Sequence, residues 1–376
     1  MTTAQRPGLT ALPRRELLAL AATLAGGFLL SGNPLTGADA PVAPTGAAPV
    51  RNRGIRLGID NFAVRAMKWK APALIDYAAK LKTDSLFITD LDAFEKQDDA
   101  YLGELKKKAA DLGIQIQLGS WSICPTSKSF KKTWGTAEEH GALAMRMAKA
   151  LGSPVARFVL GAGNDRSTEG GIQARIADTV AVCKALKGRS EELGVKIAIE
   201  NHAGDMQSNE LVELIEAAGK SYVGANIDIG NGVWTMEDPM TTLDNLAPYV
   251  ITTSLRDSMI WESPKGATVQ WVAMGDGVLD LPAFFDAFEK KCPGAPVHIE
   301  TIGGFNREIA YFDPEFMKLW PKRTAADLAR FIALAKKGKA LEAGKGAFAS
   351  DADFQKDQIE RSITYCKNVL GLGPKG

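Results

Sequence analysis

The feature that most constrains the fold is an alternation of short apolar runs with longer amphipathic segments between residues 55 and 301. The apolar runs have the length and composition of β-strands, and segments such as 71–82 and 136–151 have the apolar spacing of helices. Strands that alternate with helices predict parallel βα units. The eight predicted strands are residues 55–59, 85–89, 114–119, 155–160, 195–200, 223–228, 250–255 and 296–301.

Eight such units over about 250 residues predict a (β/α)8 TIM barrel with extra C-terminal helices. The alternative is a doubly wound parallel sheet, but no G-x-G-x-x-G follows the first strand and the sequence has no P-loop. The two extra helices are predicted at 323–337 and 351–370, packed on the outside of the barrel. We therefore divide the chain into a leader with its linker, the barrel and a helical extension, at residues 1–50, 51–322 and 323–376.

The leader has its own pattern. Arg14 and Arg15 precede an uncharged apolar run of 14 residues, 17–30, which is followed by a small and Pro-rich stretch. At 1.5 Å per residue a helix of this run is about 21 Å long, shorter than the roughly 30 Å bilayer core. The pattern predicts an export signal that resembles a twin-arginine signal, and hence a periplasmic or secreted protein without stable membrane insertion. An uncleaved N-terminal anchor is the alternative.

The charge balance and the cysteines exclude several classes of protein. Lys and Arg number 45 against 44 Asp and Glu, so the formal charge of +1 gives no reason to expect a nucleic-acid partner. The four cysteines lie far apart without zinc-finger spacing, which predicts plain buried thiols and leaves an isolated disulfide open. Association of the chain with further copies of itself is also left open.

Carboxylates follow three of the predicted strands. Glu200, Asp228 and Glu300 end strands five, six and eight, at the face where TIM barrels carry their active sites. Three buried carboxylates side by side would repel one another, and a divalent cation removes that cost. Oxygen ligands suit Mg²⁺, Mn²⁺ or Co²⁺, with Zn²⁺ as a further option. Any one of these residues could instead cap a helix.

Other polar residues at the strand ends are candidates for binding a substrate. His202 either contacts substrate or hydrogen-bonds to the backbone of its loop, and Arg256 either grips an anionic group or forms a structural salt bridge. Asp257, Asn231 and Arg65 follow strands seven, six and one.

Four further side chains have less specific positions. Trp121 and Trp261 could stack on a sugar ring or fill the core of a loop. His298 precedes Glu300 by two residues, which places it one layer deeper in the barrel. His140 falls within a helix pattern and is predicted to lie on the surface.

The motifs IAIENHAGD, NIDIGN, SLRDS, GDGVLDL and HIE resemble those of the sugar phosphate isomerase/epimerase family, the xylose isomerase-like TIM barrels that include AP endonuclease IV-type enzymes. The resemblance covers roughly residues 55–310 and implies that a divalent metal is bound by Glu200, Asp228, position 254 and Glu300. Ser254 departs from the family, which has histidine there, and leaves the fourth ligand to water, His202 or the substrate. The endonuclease branch uses a histidine-rich zinc cluster, and this chain has three histidines.

The resemblance implies an isomerase or epimerase that works through an enediolate, with Glu200 and Glu300 as acid and base as well as ligands. An exported enzyme is expected to act on an unphosphorylated sugar, a keto-sugar or a sugar acid. Arg256 and segment 261–277, which contains the substrate-binding candidate Gln270, also resemble a decarboxylase branch that acts on oxo-sugar acids. Decarboxylation and elimination from a 3-keto-glycoside are therefore alternatives, and a carbohydrate-binding barrel without catalysis is the alternative outside enzymes.

Overall fold

The computed structural model of the chain describes residues 50–374, which contain eleven strands and twelve α-helices joined by short 3₁₀ turns. The strands are β1 Leu57–Asp60, β2 Ser85–Ile88, β3 Gln115–Ser122, β4 Val155–Val159, β5 Lys196–Glu200, β6 Val223–Ile227, β7 Val250–Thr253, β8 Asp257–Ser263, β9 Gly266–Val272, β10 Val297–Ile299 and β11 Asn306–Ile309. The helices are α1 Ala71–Lys80, α2 Asp99–Asp111, α3 Ala137–Leu151, α4 Gly171–Ala185, α5 Lys187–Leu193, α6 Ser208–Ala218, α7 Ile229–Trp234, α8 Pro239–Leu246, α9 Leu281–Lys291, α10 Pro314–Lys318, α11 Ala325–Ala335 and α12 Asp351–Asn368.

Eight of the strands form one parallel sheet in the order β10-β1-β2-β3-β4-β5-β6-β7. Leu255 closes the sheet between β7 and β10, since its amide donates to His298 O at 2.8 Å and its carbonyl accepts from Glu300 N at 2.9 Å. With helices between the strands, the architecture is a (β/α)8 TIM barrel, and the prediction is confirmed. The closure also brings the residues after β7 and β10 side by side.

Local signals in the sequence account for where the helices begin and end. Thr136 and Glu139 form a capping box at the start of α3, and Gly152 ends that helix in the left-handed region at φ 77°. Asp280 caps α9 by accepting from Ala283 N, and Pro282 stands in its first turn, where a missing N–H costs nothing. Predicted segment 171–193 is two helices, α4 and α5.

A second, three-stranded antiparallel sheet rises from the loop after β7, in the order β11-β9-β8. It was not predicted, because its strands lie in segments that the alternation of βα units assigns to loops. The sheet presents Trp271 and Phe305 near the ends of the barrel strands, so it shapes one wall of the barrel mouth.

The C-terminal helices belong to the same compact unit as the barrel. Helix α12 holds the loop after β1 and the loop after β9, because Gln355 Oε1 accepts from Ala66 N at 2.8 Å and Gln358 Oε1 accepts from Ala273 N at 3.0 Å. Helix α11 packs against β8 and β9. Extra C-terminal helices are confirmed, and they support the loops of the mouth as well as covering the barrel.

Buried groups test two smaller predictions. All four cysteines are buried and free, as predicted for plain thiols. The surface position predicted for His140 is wrong, because its side chain is 1% exposed and its Nε2 lies 2.6 Å from Ser120 Oγ. The polar partner comes from β3, which a helical pattern alone does not reveal. His298 lies in the core, one layer below Glu300, between Ser85 Oγ and Thr253 O.

No helix within residues 50–374 is long and apolar enough to cross a membrane. The predicted export signal lies outside the described residues.

Candidate active site

Three carboxylates converge where the barrel strands end. Glu200 is the last residue of β5, Asp228 follows β6 and Glu300 follows β10. One oxygen from each of the three lies within 4.8 Å of the others, and the side chains are 0%, 0% and 4% exposed. The alternation of side chains along a strand turns all three toward the barrel axis. Asp228 also caps α7, since its Oδ1 accepts from Asn231 N at 3.0 Å, so the capping role and the place in the cluster coincide.

Two arginines lie among these carboxylates. Arg256 Nη2 donates to both Asp228 and Glu300, and Arg157 Nε donates to Glu200 Oε2 at 2.5 Å. Sequence reasoning missed Arg157, although a charged residue inside the apolar strand VARFV was a signal. Such a residue lies either on the outer face of the barrel or inside it with a partner, and only the structure reveals the partner.

Asp60 adds a fourth carboxylate at the end of β1. Its Oδ1 accepts from Thr89 Oγ1 at 2.9 Å, and its Oδ2 accepts from Ser254 Oγ at 3.1 Å. Ser254, which stands where the family has histidine, therefore donates its hydroxyl hydrogen to a neighbouring carboxylate. With every group ionised, the four carboxylates face two guanidinium groups, which leaves two negative charges uncompensated.

The acid–base properties of the cluster follow from burial. Burial raises the pKa of Asp228 to about 8, although Arg256 opposes the shift. Burial likewise raises the pKa of Glu300, again against Arg256, and raises that of Asp60 well above its ordinary value with a further contribution from Glu300. For Arg256 burial works against the charge, but its carboxylate neighbours outweigh burial and raise its pKa. A cation that entered the cluster would therefore stabilise the ionised carboxylates.

Amides orient the carboxylates and leave acceptors free. Asn231 Nδ2 donates to Glu200 Oε1 at 2.9 Å and to Asp228 Oδ2 at 2.7 Å, and Asn226 Nδ2 donates to Glu200 Oε2 at 2.8 Å. Within residues 50–374, Asn226 Oδ1 and Asn231 Oδ1 are buried without a hydrogen-bond partner. Three carboxylates, an excess of negative charge and unpaired amide oxygens fit a divalent cation, which Glu200, Asp228 and Glu300 could hold.

A cavity of about 260 Å³ opens above the cluster. Four of the predicted site residues line it, namely His202, Arg256, Asn231 and Glu300. His202 Nδ1 lies 2.6 Å from Gly161 O, so it carries the hydrogen and leaves Nε2 as an acceptor. Burial, with Arg157 in addition, lowers the pKa of His202 to about 4, which keeps the ring neutral near pH 7.

Aromatic rings form the walls of the cavity. On one side Phe62 meets Trp121 edge to face at 5.5 Å between centroids. On the other side Trp234 stacks on Trp271 at 4.1 Å, and Phe305 packs edge-on against both rings. Trp234 Nε1 is a buried donor that has no partner in the described part of the chain. Flat apolar walls with isolated polar groups suit a sugar ring. Trp121 was a candidate for such stacking, while Trp261 lies on β8 away from the cavity.

Glu200 and Asp228 lie in the cluster beneath the cavity, and the remaining three predicted substrate-binding residues lie outside it. Asp257 accepts from Gly275 N and Gly277 N, each at 3.0 Å, and so holds the loop after β9. Gln270 donates to Asn306 Oδ1 at 2.6 Å within the three-stranded sheet. Arg65 is exposed, lies over the ring of Phe62 and lines an adjacent groove of about 200 Å³.

A larger polar pocket of about 430 Å³ lies beside α8 and the C-terminal segment. None of the predicted site residues lines it. Outside the three carboxylates, the described residues contain no second group of His, Cys, Asp and Glu arranged to hold a metal ion. The chemistry therefore concentrates at the barrel mouth.

The fold and this arrangement agree with a family match over most of the barrel. The model of the xylose isomerase-like TIM barrel family matches residues 75–328, and the chain belongs to that family.

Two relatives match more than half of the chain. A 3-oxo-isoapionate decarboxylase from Pectobacterium atrosepticum is 23% identical over 213 residues, which cover 56% of this chain and 70% of the relative. An uncharacterized protein, YihM, from Escherichia coli is 25% identical over 247 residues, covering 65% and 69% of the two chains.

Solved structures of similar fold include sugar epimerases. A D-psicose 3-epimerase crystallised in the presence of D-fructose covers 84% of this chain and 100% of its own, at a TM-score of 0.55 and 16% identity. An IolI protein with a bound zinc atom covers 76% of this chain and 100% of its own, at a TM-score of 0.51 and 15% identity. At these identities the likeness concerns the fold.

Proposed function

We propose that this protein is a divalent-metal-dependent isomerase or epimerase that acts on a carbohydrate through an enediolate. The observation that carries the proposal is the convergence of Glu200, Asp228 and Glu300 beneath an aromatic cavity at the barrel mouth. The fold match to sugar epimerases supports it. We assign Mn²⁺, Mg²⁺ or Co²⁺ to the three carboxylates, with Zn²⁺ as a further option.

The bound cation would act as a Lewis acid toward the carbonyl and hydroxyl oxygens of the sugar. Glu300 lines the cavity, and its Oε1 has no hydrogen-bond partner among residues 50–374, so it can accept a proton from the carbon beside the carbonyl. Burial raises the pKa of Glu300, which brings it closer to the range of a general base. Glu200, on the other side of the cluster, would start the cycle protonated and give that proton to the same or the neighbouring carbon, while Glu300 keeps the proton that it removed. Exchange with water would then restore both carboxyl groups.

The other predicted residues bind and orient the substrate. His202 accepts a hydroxyl hydrogen through Nε2, and Asn231 Oδ1 is a second acceptor at the floor of the cavity. Arg256 donates to a substrate oxygen or carboxylate. Arg65, Asp257 and Gln270 stay assigned to substrate binding as a weaker part of the proposal, since their positions limit them to the rim and the supporting loops. The aromatic walls exclude water from the reacting carbon.

The proposed substrate is an unphosphorylated sugar, a keto-sugar or a sugar acid. The leader of the sequence supports this class, because it predicts export to the periplasm or beyond, where sugar phosphates are scarce. Stacking of a sugar ring between the two aromatic walls agrees with that class.

Decarboxylation of an oxo-sugar acid is a second candidate. Arg256 supports it because a guanidinium can hold the substrate carboxylate, and the relative from Pectobacterium atrosepticum is a decarboxylase by name. Elimination from a 3-keto-glycoside would use the same enediolate. A carbohydrate-binding barrel without catalysis remains the alternative outside enzymes, and Ser254 favours it.

Elemental analysis of the purified full chain beside Glu200→Gln and Glu300→Gln tests the proposal. We expect about one Mn, Mg, Co or Zn per chain in the unaltered protein, and a metal content more than about tenfold lower in each variant. The loaded protein is then incubated in deuterated water with a panel of keto-sugars and sugar acids, and exchange at carbon is followed by NMR while released carbon dioxide is measured.

Exchange without carbon dioxide supports isomerisation, and stoichiometric carbon dioxide supports decarboxylation instead. If the protein neither holds nor takes up a metal, the proposed mechanism is wrong. If it holds metal and binds sugars without exchange or carbon dioxide release, it is a binding protein.

A further inference from the structure

Arg256 is placed unusually for a residue that binds substrate. Its side chain is 1% exposed, and a single nitrogen, Nη2, donates to Asp228 and Glu300 together. These two carboxylates, with Glu200, are the proposed metal ligands. The guanidinium therefore lies between two of the three carboxylates that a cation would use.

The surroundings of Arg256 leave room for this position. Gly230 packs against the arginine stem, and a methyl group at that residue would overlap Arg256 Cγ and lie 2.7 Å from Cδ. On the cavity side, the guanidinium carbon lies 4.2 Å from the centroid of the Trp271 ring. Arg256 Nε is buried and has no acceptor within the described residues. Arg256 is thus bound firmly at one end of its guanidinium and incompletely at the other.

We propose that Arg256 and the divalent cation compete for the carboxylate cluster, so that Arg256 is a built-in counter-ion that the metal must displace. The inference rests on the proposed metal-dependent function. A cation that bridges Asp228 and Glu300 lies about 2.0–2.6 Å from an oxygen of each. Nη2 already bridges these two residues, so the guanidinium and the cation compete for the same place between them. The apparent metal affinity is then reduced by the fraction of molecules whose cluster is free of Arg256.

Displacement leaves Arg256 with the contact that it already makes to Trp271. The guanidinium carbon lies 4.2 Å from the centroid of that ring, and the cavity above the ring admits an anionic group of a substrate. Entry of the metal would thereby release the guanidinium toward the substrate, which couples loading of the metal to completion of the substrate site.

A calorimetric titration with Mn²⁺ alone tests the competition. The full chain is first treated with a chelator and is then titrated. Arg256→Gln removes the competitor, and we expect Mn²⁺ to bind at least about tenfold more tightly than to the unaltered protein. Gly230→Ala keeps the charge but pushes the arginine stem away, and it should also tighten binding. Glu300→Gln shows whether the measured heat comes from Mn²⁺ binding at the cluster. We expect it to weaken Mn²⁺ binding both in the unaltered protein and in Arg256→Gln.

Arg65→Gln is the matched control. Arg65 lies close enough to interact with Glu300 and Arg256, but it donates to the carbonyl of Phe62 rather than to the cluster. Its removal takes away the same charge without freeing a ligand, and we expect less than about a twofold change in Mn²⁺ affinity. The midpoint of thermal unfolding gives a second readout. Without metal, Arg256→Gln should lower this midpoint, and Mn²⁺ should then raise the midpoint of the variant by more than it raises that of the unaltered protein.

Equal Mn²⁺ affinity in the unaltered protein, Arg256→Gln, Gly230→Ala and Arg65→Gln, with weaker binding in Glu300→Gln, would overturn the competition and leave the proposed function intact. Equal tightening by Arg256→Gln and Arg65→Gln, with none by Gly230→Ala, would also overturn it, because charge alone would then explain the effect. Binding by Arg256→Gln but not by the unaltered protein supports the competition and contradicts a metal-dependent function. Absence of binding in every protein contradicts both.

Discussion

Two buried ionic clusters of this barrel differ in how well their charges balance. The mouth cluster comprises Asp60, Glu200, Asp228 and Glu300 with Arg157 and Arg256. The second, which we name the docking cluster, comprises Glu210 and Glu237 with Arg166 and Arg323. The docking cluster pairs two buried carboxylates with two guanidiniums, and the partly exposed Asp327 lies 3.6 Å from Arg323. The mouth cluster has four buried carboxylates for two guanidiniums.

The docking cluster is satisfied by direct pairs. Arg166 binds Glu210 through two parallel hydrogen bonds of 2.8 and 2.9 Å and donates from Nε to Leu319 O at 2.7 Å. Glu237 accepts from Ser208 N at 3.1 Å and from Arg323 Nη2 at 3.3 Å. These bonds attach the segment from Leu319 to Arg323, which leads into α11, to the barrel.

The mouth cluster keeps buried acceptors unpaired among the described residues and has more carboxyl groups than guanidiniums, and burial raises the pKa of Asp228, Glu300 and Asp60. Ionisation of all four carboxyl groups therefore costs stability. Groups that are buried at such a cost are typical of sites that bind or react. The comparison suggests that a balanced buried cluster holds the fold together, whereas an unbalanced one is built for a ligand. Three predictions test that difference, in order of decreasing size.

The largest expected effect is on stability. Glu210→Gln leaves Arg166 as a buried charge without its carboxylate, and we expect it to lower the free energy of unfolding by about 3–5 kcal/mol. Glu300→Gln removes one charge of the excess while Arg256 keeps Asp228, and we expect a change of no more than about 1 kcal/mol in the absence of metal. Urea unfolding of both variants in a chelating buffer checks this, and an equal loss in the two would remove the distinction between the clusters.

The second prediction concerns a neutral histidine of the core that belongs to neither cluster. Burial lowers the pKa of His140 to about 4, below the ordinary 6.5 of the unfolded chain. Between these values the unfolded state binds more protons, so the stability present above pH 6.5 is lost as pH falls toward 4. From pH 6.5 to 5 this group would contribute a loss of about 2 kcal/mol at most.

His140→Gln should make the pH dependence of the free energy of unfolding shallower in that window. Measurement of urea unfolding at several pH values between 7 and 4.5 gives the slope. An unchanged slope would mean that His140 is not the group that titrates. The remaining slope then belongs to other groups, which include His298, where burial lowers the pKa to about 3.

The smallest expected effect compares two tryptophans, one beside each cluster. The indole nitrogens of Trp234 and Trp320 are buried without partners within residues 50–374, but Trp234 lines the mouth cavity and Trp320 stacks under Arg166 at 3.9 Å. Trp234→Phe should raise the half-saturating concentration of a sugar identified by the exchange screen by about fivefold, since a hydrogen bond contributes about 1 kcal/mol.

Trp320→Phe should leave that concentration unchanged and alter only the unfolding midpoint. Weakened sugar binding in the Trp320 variant, or unchanged sugar binding in the Trp234 variant, would contradict the assignment of the free indole donor to the substrate.

Local patterns in the sequence determined the barrel itself. Each predicted strand overlaps an observed one, because an apolar run of five or six residues between helical segments can be buried only as an inner strand. The carboxylates were also predictable, since Glu200, Asp228 and Glu300 each end such a run and parallel strands end at one face. The expectation that they hold a divalent cation came from the repulsion among three buried carboxylates, and the resemblance to a known family supported it.

Only the tertiary structure decided what else shares the site. Arg157 lies within a strand, and its carboxylate partner is 43 residues away along the chain. Trp271 and Phe305 reach the cavity on a sheet that forms between β8, β9 and the distant β11. His140 found its partner across a helix–strand interface. These contacts join segments that are far apart in sequence, and they depend on packing geometry rather than on local periodicity. For the same reason the position of Arg256 among the carboxylates, on which the proposed competition with a metal rests, became visible only in the folded chain.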